Sequence, residues 1–229
     1  MTAVTAHRSG QGVAAVFVHG SLVSGRQHWS SQLSLGKDGY ELFVLDRRGY
    51  DQSPTVEGED FLRDAADIAQ LLAEQTSGGA HLVGDSYGAI AALYAANQRP
   101  ELVRSLTVLE PPAFGIVEHP ACRSIMDRMR RLWEQQHLDD RAFLEAFLEA
   151  FMEVLGEGPS QMPEQIVTVL VSNVDLLRAQ RPVWEADPPL AGSRPRPTFR
   201  GAGGERGGHP SSPSVRDFAT RMPVFEVAG

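Results

Sequence analysis

Four short apolar runs, separated by segments with helical periodicity, constrain the fold of this chain more than any other feature. The runs occupy residues 13–18, 41–46, 80–84 and 105–110. A continuous apolar run of this length is typical of a strand that is buried on both faces of a parallel sheet. Because the strands alternate with helices, the sequence predicts an α/β fold with right-handed crossovers.

The helical segments divide the chain further. Apolar residues at helical spacing predict helices at residues 61–72 and 86–98, with acidic residues such as Asp64 and Asp67 on other faces of the first. Three more helices are predicted at residues 126–133, 143–155 and 166–177, without strand-like runs between them. We interpret residues 1–117 as the N-terminal part of a core, residues 118–188 as a helical lid, and residues 189–229 as a degenerate or truncated C-terminal part of the core.

Charge and cysteine content exclude several classes of protein. The net charge of −8 argues against a nucleic-acid partner, because binding to phosphates requires clustered Lys and Arg. A single cysteine, Cys122, excludes an internal disulfide and a thiolate metal cluster. No apolar run approaches the roughly 20 residues that span a bilayer, and the N-terminus lacks a signal-peptide core. We expect a cytoplasmic protein without a membrane partner, metal or cofactor; the sequence does not predict its oligomeric state.

Ser86 stands within Gly84-Asp85-Ser86-Tyr87-Gly88, where a strand is predicted to meet a helix. Gly-x-Ser-x-Gly at such a turn is the pattern of a nucleophile elbow, in which a strained backbone lifts the serine hydroxyl clear of the sheet. The two glycines are expected to leave room where a side chain would clash. The helix directs its N-terminal amides to the same place, so the Tyr87 amide is a predicted oxyanion donor. The alternative is a tight turn with an unreactive serine.

Two turns upstream of the elbow extend the pattern. The first strand ends in His19-Gly20-Ser21, and the Ser21 amide is a second predicted oxyanion donor. The second strand ends in Asp46-Arg47-Arg48-Gly49-Tyr50-Asp51-Gln52-Ser53. In this order the three turns resemble the lid-bearing group of the α/β-hydrolase superfamily, and the resemblance covers residues 13 to about 188.

This resemblance implies an α/β-hydrolase fold with a mostly parallel central sheet, and a serine hydrolase that acts on a small ester or related acyl substrate through an acyl-enzyme. Two residues depart from the family pattern. Asp85 stands where many members have His or Asn, and Asp51 stands where many have Gly. Neither change removes a catalytic group, but Asp85 places a carboxyl beside the nucleophile.

The acid of a catalytic triad has two candidates. Glu110 ends the strand after the elbow helix, and ligand-facing residues in such sheets lie at the carboxyl ends of strands. In the family, the acid follows this strand or the next one, so Glu110 matches the first option and Glu205 would serve for the second. The reading of Glu110 as a residue that only shapes the pocket rim stays open.

The base is harder to assign. His19 is expected to support the oxyanion turn, His81 to pack within a strand, and His28 to lie in the helix after that turn, beside Trp29. His119 and His137 fall in the predicted lid and His7 lies near the N-terminus, which leaves His209 as a candidate. The family's histidine follows the last strand in a Gly-x-Gly-His context. Here the last strand-like run, residues 223–227, is followed by two residues. We therefore expect a sequence that is truncated or disturbed in frame after about residue 190, with recruitment of His209 as the alternative.

Other functions remain open at this point. A non-catalytic ligand-binding or interaction module on the same fold is one, because fold does not fix function. A fragment that does not fold stably is another. Acyl transfer and perhydrolysis use the same nucleophile, whereas haloalkane dehalogenation needs a carboxylate in the place of Ser86.

Overall fold

The computed structural model describes residues 3–55, 58, 60–113, 120–155, 162–188, 200–201 and 224–228. Its strands are β1 (Ala6–Gly10), β2 (Val13–Val18), β3 (Tyr40–Leu45), β4 (Ala80–Asp85), β5 (Val103–Leu109), β6 (Arg200–Gly201) and β7 (Val224–Ala228). They form one sheet in the order β1-β3-β2-β4-β5-β7-β6. The four central strands, β2 to β5, pair in parallel, and they confirm the four apolar runs as strands.

The two edge strands of the sheet, β1 and β6, were not predicted from the sequence. At one edge β1, with the polar sequence Ala-His-Arg-Ser-Gly, pairs antiparallel with β3. This strand was not predicted, because a partly exposed edge strand needs no apolar run. Next to β6, the predicted strand at residues 223–227 is confirmed as β7, which pairs antiparallel with both β5 and β6 and sets Val224 beside Leu109.

The helices are α1 (Gly25–His28), α2 (Phe61–Gln75), α3 (Tyr87–Gln98), α4 (Pro120–Glu134), α5 (Asp140–Leu155), α6 (Glu164–Val171) and α7 (Val174–Ala179). In α2 the Asp60 side chain caps the N-terminus by accepting from the Leu62 amide, and buried residues such as Ile68 and Leu72 pack toward the sheet and α3. Together α2, α3 and the central strands form the main apolar core.

The prediction of a single helix over residues 166–177 was wrong. The helix is interrupted between α6 and α7, where Ser172 Oγ donates to the Val169 carbonyl at 2.7 Å. Asn173, with φ −116°, caps α7 and donates from its side chain to the Leu22 carbonyl at 2.9 Å. Ser and Asn side chains compete in this way with helical hydrogen bonding, and the interruption brings Asn173 against the core.

Two acidic residues of α2, predicted on other faces than its apolar residues, are buried. Asp64 is 3% exposed and Asp67 is 7% exposed. Each forms a buried ion pair with an arginine from the turn after β3: Arg47 with Asp64 at 3.0 Å, and Arg48 with Asp67 at 2.6 Å. Helical periodicity separates both from the apolar residues of α2 but does not predict their burial, because their arginine partners come from another element.

Helices α4 to α7 form a second apolar cluster, which includes Phe143, Leu144 and Val174. Leu22, from the turn after β2, is 5% exposed and packs into this cluster. The turn is therefore in contact with the sheet on one side and with the helices on the other. The division of the chain at residues 117 and 188 stays a prediction. In the described part of the chain, none of the helices combines the length and apolarity required to cross a membrane.

Candidate active site

The predicted nucleophile, Ser86, lies on the sharp turn between β4 and α3. Its φ is 49° and its ψ is −120°, a backbone conformation that a residue with a side chain rarely adopts. Its amide donates to the Leu109 carbonyl at 2.9 Å, which ties the turn to the end of β5. Such conformations cost on the order of 1–3 kcal/mol and persist where surrounding contacts hold them. Ser86 therefore has the strained strand-to-helix backbone of an elbow.

Three glycines leave the space into which this turn fits. A Cβ on Gly84 would lie 2.7 Å from the Gly88 carbonyl oxygen, and a Cβ on Gly88 would lie 2.4 Å from the His19 carbonyl oxygen. A Cβ on Gly20 would lie 3.0 Å from Ser86 Cβ. Because the obstructing atoms at Gly84 and Gly88 are backbone atoms, no side chain fits at either position, as expected from the sequence.

Buried polar groups fix the turn after β2. His19 is fully buried; its Nδ1 donates to the Gly20 carbonyl at 2.8 Å, and its Nε2 accepts from the Arg47 amide at 2.9 Å. This pattern requires a neutral ring, and burial, with the charge of Arg47, holds the pKa of His19 well below its usual value. Arg47 Nη2 donates to the same Gly20 carbonyl at 3.0 Å. In a trans peptide the N–H of Ser21 points opposite to the Gly20 carbonyl, so these bonds restrain the Ser21 N–H from the side of the sheet.

The Arg47 side chain lies wholly inside the protein. It pairs with Asp64 and donates from Nε to the His19 carbonyl at 3.1 Å. Its guanidinium carbon is 4.7 Å from the ring centroid of Tyr87 and 5.1 Å from that of Tyr50. Burial raises the pKa of Asp64, and the attraction of Arg47 opposes that rise. A fixed positive charge thus lies beneath the turn that carries Ser21.

Two acidic side chains flank Ser86. Asp85 is 7% exposed, and its Oδ2 lies 3.1 Å from His28 Nε2. Glu110 follows β5 directly and has a φ of 41°. Burial, and then the negative charge of Asp85, raise the pKa of the Glu110 carboxyl. The two carboxyl groups are therefore electrostatically coupled at the carboxyl edge of the sheet.

The helical segment reaches the same edge through neutral hydrogen bonds. Ser21 Oγ donates to Gln180 Oε1 at 2.7 Å, and Gln180 Nε2 donates to the Tyr50 hydroxyl at 3.3 Å. The Tyr87 hydroxyl donates to the Arg181 carbonyl at 3.2 Å. Because Gln180 and Arg181 directly follow α7, the end of this helix contacts both predicted oxyanion residues.

The structure thus places four predicted site residues at the ends of three adjacent strands, β2, β4 and β5: Ser21, Ser86, Tyr87 and Glu110. Their catalytic roles stay predictions. The remaining candidates, Glu205 and His209, lie outside the described residues. Within the described residues, the histidine hydrogen bonds and ion pairs go to other partners than Ser86 and Glu110.

Several residues of the site were missed by sequence reasoning. Asp64 could have been found from the two consecutive arginines after β3, because charges that follow a buried strand need buried partners. The pair of His28 with Asp85 has a weaker signal, the unusual acid inside the elbow. Gln180 has no local signal, because its partner Ser21 is 159 residues away in sequence.

The sequence predicts no metal site. Within the described residues, His7, Asp46 and Asp51 offer ligand atoms within 4.8 Å of one another. Asp46 is fully buried and already accepts from the His7 ring at 2.6 Å and from the Gly25 amide at 2.9 Å. These bonds account for the cluster as a tie between β1 and the turn after β3.

Comparison with known proteins places this geometry in a family. The model of the alpha/beta hydrolase family matches residues 15–228, which is most of the chain. The chain belongs to the alpha/beta hydrolase family. Membership agrees with the parallel central strands and the elbow at Ser86, and it supports a hydrolase.

Individual relatives in the family are distant. The chain is 29% identical over 140 residues to the (E)-2-((N-methylformamido)methylene)succinate hydrolase of Acinetobacter baylyi, a match that covers 59% of this chain and 51% of that protein. It is 30% identical over 111 residues to the dihydrolipoyllysine-residue acetyltransferase component of the acetoin cleaving system of Cupriavidus necator, covering 48% of this chain and 29% of the relative. The chain thus spans about half the length, or less, of these curated relatives.

Solved structures of other members agree with the fold. An esterase from Thermogutta terrifontis superposes with a TM-score of 0.61 at 19% identity, covering 81% of this chain and 68% of that one. An alpha/beta hydrolase from Sphaerobacter thermophilus gives a TM-score of 0.54 at 21% identity, covering 78% and 72%. At these identities the likeness shows the fold alone, and it confirms the α/β-hydrolase fold that the sequence predicts.

Proposed function

We propose that this chain is a serine hydrolase that acts on a small ester or related acyl substrate through Ser86. The observation that carries the proposal is the backbone of Ser86, whose φ of 49° is retained at a turn where Gly84 and Gly88 leave no room for side chains. A strained conformation of this kind is typical of functional positions, and a plain strand-to-helix turn would not require it.

In the proposed reaction Ser86 Oγ attacks the carbonyl carbon of the ester, and its proton passes to a general base. The oxyanion of the tetrahedral intermediate lies between the amides of Ser21 and Tyr87, and the alcohol leaves with the proton. Water then hydrolyses the acyl-enzyme by the same route. Glu110 is proposed to orient the base, and its raised pKa means that it takes up this role as a carboxylate only at higher pH than an exposed glutamate.

Helices α4 to α7 are proposed to act as the lid that covers the substrate. The support is their contact with the Ser21–Leu22 turn through Gln180 and Asn173. The proposal includes a small-molecule substrate and a cytoplasmic site of action. The negative net charge supports a partner other than nucleic acid.

The test is hydrolysis of p-nitrophenyl acetate by the purified full chain, compared with Ser86→Ala, together with the mass increase after reaction with a fluorophosphonate. We expect wild-type turnover and one covalent adduct, both abolished by Ser86→Ala. Equal rates for the two proteins, without an adduct, would refute a nucleophilic Ser86.

The base is tested by the same assay on two further variants, His28→Ala and His209→Ala. His28 is chosen because its Nε2 lies 3.1 Å from Asp85, next to the nucleophile, and His209 because of its place in the sequence. Loss of the true base lowers kcat by orders of magnitude, because the members of a triad act as a unit. His81→Ala, on β4 and bonded to Ser105, is the matched control.

A non-catalytic ligand-binding role on the same fold is the second candidate. It is favoured by the described histidines, whose hydrogen bonds and ion pairs leave out Ser86 and Glu110. Binding of p-nitrophenyl acetate without turnover or adduct, detected by calorimetry, would support this role instead.

A further inference from the structure

Two consecutive residues after α7 hold both residues whose amides form the proposed oxyanion hole. Gln180 binds the Ser21 hydroxyl, and the Arg181 carbonyl binds the Tyr87 hydroxyl. Ser21 follows β2 and Tyr87 begins α3, so the two donors come from separate parts of the core. A single short segment therefore bridges them.

Gln180 is built into this position. The residue is 4% exposed, and both ends of its side-chain amide are hydrogen-bonded: Oε1 to Ser21 and Nε2 to Tyr50. The same Tyr50 hydroxyl accepts from the Leu22 amide at 3.2 Å. A buried amide that is bonded at both ends has a fixed orientation. Gln180 thus holds Ser21 directly and Leu22 through Tyr50.

The residue after the proposed donor is strained and is also held from the helical side. Leu22 has a φ of 74°, which is unusual for a residue with a side chain. Its carbonyl accepts from Asn173 Nδ2 at 2.9 Å, and its side chain packs among the helices. Because a conformation of this kind persists only where neighbours impose it, the turn at Ser21–Leu22 depends on the seated helices.

The backbone of Arg181 is itself anchored. Its guanidinium donates to Glu185 at 3.0 Å and lies 3.5 Å from Asp60, the cap of α2. Its guanidinium carbon is 5.0 Å from the centre of the Phe61 ring. These side-chain contacts connect Arg181, whose carbonyl binds Tyr87, to the N-terminus of α2.

We propose that Gln180 is a positioning residue for the oxyanion hole and that it sets the Ser21 amide only when α7 is seated on the core. The inference rests on the proposed function. Arg47 and His19 fix the Gly20 carbonyl from the side of the sheet, and Gln180 fixes the Ser21 side chain from the side of the helices. A donor held from one side alone samples other directions, and it then contributes less to an oxyanion.

The prediction concerns kcat rather than KM, because the oxyanion is absent from the bound substrate and develops only in the transition state and the tetrahedral intermediate. Gln180→Ala and Ser21→Ala each delete the same hydrogen bond and leave the Ser21 amide in place. We expect each variant to lower kcat for p-nitrophenyl acetate by about tenfold, the size of one hydrogen bond of about 1.4 kcal/mol. We expect the double variant to lower kcat no further than Gln180→Ala alone, because Ser21→Ala then removes no bond that Gln180→Ala has left in place.

Two control variants accompany this double-mutant cycle of Ser21 and Gln180. Ser21→Thr keeps the hydroxyl and is expected to restore kcat to within about twofold of wild type. Glu164→Ala, on the exposed face of α6, breaks an ion pair with Arg141 in the same helical segment and is expected to leave kcat and KM unchanged. Thermal unfolding followed by circular dichroism establishes a temperature at which every variant is folded. If Gln180→Ala does not fold, Ser21→Ala against Ser21→Thr tests the same bond.

The outcomes separate this inference from the function on which it rests. Wild-type rates equal to those of Ser86→Ala would refute both. Turnover that depends on Ser86, with kcat unchanged in Gln180→Ala and Ser21→Ala, would refute the positioning role alone. A rise in KM at constant kcat, or independent effects that multiply to about a hundredfold in the double variant, would assign Gln180 a role in holding the helices and would likewise overturn the proposal.

Discussion

The turn that carries Ser21 is held by a buried ion pair and a neutral histidine on the sheet side, and by neutral groups alone on the helical side. Arg47, paired with Asp64, and the buried His19 bind it from below. Gln180 and Asn173 bind it from above. Breaking a buried ion pair costs several kcal/mol, whereas a neutral hydrogen bond contributes about 0.5–1.5 kcal/mol. The ion pair on the sheet side is therefore costly to break once the chain has folded. Each hydrogen bond on the helical side is weak enough to break and re-form.

The largest expected effect comes from breaking the sheet side. Arg47→Ala leaves Asp64 buried without its partner, and we expect a loss of about 3–5 kcal/mol in the free energy of unfolding, measured by urea denaturation. The double variant Arg47→Ala/Asp64→Ala is expected to recover part of that loss, because no charge is then left unpaired. Arg141→Ala, whose partner Glu164 lies on the surface, is the control and is expected to leave the urea midpoint unchanged. A urea midpoint that is likewise unchanged in Arg47→Ala would contradict the difference in strength between the sheet side and the helical side.

Breaking the helical side is expected to have a smaller effect. Asn173→Ala removes one hydrogen bond to the Leu22 carbonyl, and we expect the free energy of unfolding to fall by about 1 kcal/mol. Ser172→Ala serves as a neighbouring control, because the Ser172 hydroxyl bonds within its own helix turn. A loss for Asn173→Ala as large as that for Arg47→Ala would show that the two sides are equally rigid.

The smallest expected effect tests the electrostatics at the carboxyl edge of the sheet. Asp85→Asn removes the negative charge that helps burial to raise the pKa of Glu110, so this pKa is expected to fall toward its usual value. The measurement is the pH titration of the Glu110 carboxyl by carbon NMR. Asp38→Asn, at an exposed position, is the control. An unchanged Glu110 titration in Asp85→Asn would rule out the coupling.

The sign of the linked stability change follows from the raised pKa. The native state binds the Glu110 proton more tightly than the unfolded chain, so the free energy of unfolding falls as the pH rises from the unfolded pKa through the higher native pKa. In Asp85→Asn that fall is expected to be smaller over the same interval. Urea denaturation across this pH range measures it.

The fold and the elbow could be predicted because their signals are local. Continuous apolar runs specified the central strands, and the glycines around Ser86 matched a backbone with no space for Cβ atoms. The polar edge strand β1 gave no such signal, since its pairing rather than its composition makes it a strand. The antiparallel direction of β7 was likewise absent from its residues, because an apolar run reads the same in either direction.

The positions of the candidate site residues could be predicted from the sequence, but the residues that hold them in place could not. Ser21, Ser86, Tyr87 and Glu110 follow motifs or strand ends. Arg47 with Asp64, and Ser21 with Gln180, are pairs between elements that are separated in sequence, and only the packed chain brings them together. The interruption between α6 and α7 was missed for the same reason: its Asn173 finds a partner on the turn after β2.

Under the proposed function, the burial of Leu22 has a consequence for how a substrate would enter. Leu22 lies on the turn after β2, but its side chain is enclosed by helices α4 to α7. A rigid outward swing of the helices would return it to water at a cost of about 1.5–3 kcal/mol, and would reduce the open population by about tenfold to more than a hundredfold. Entry that leaves Leu22 in place, through a gap between helices, avoids this cost. The buried Leu22 side chain thus favours entry through a gap between the helices over an outward swing of the helices.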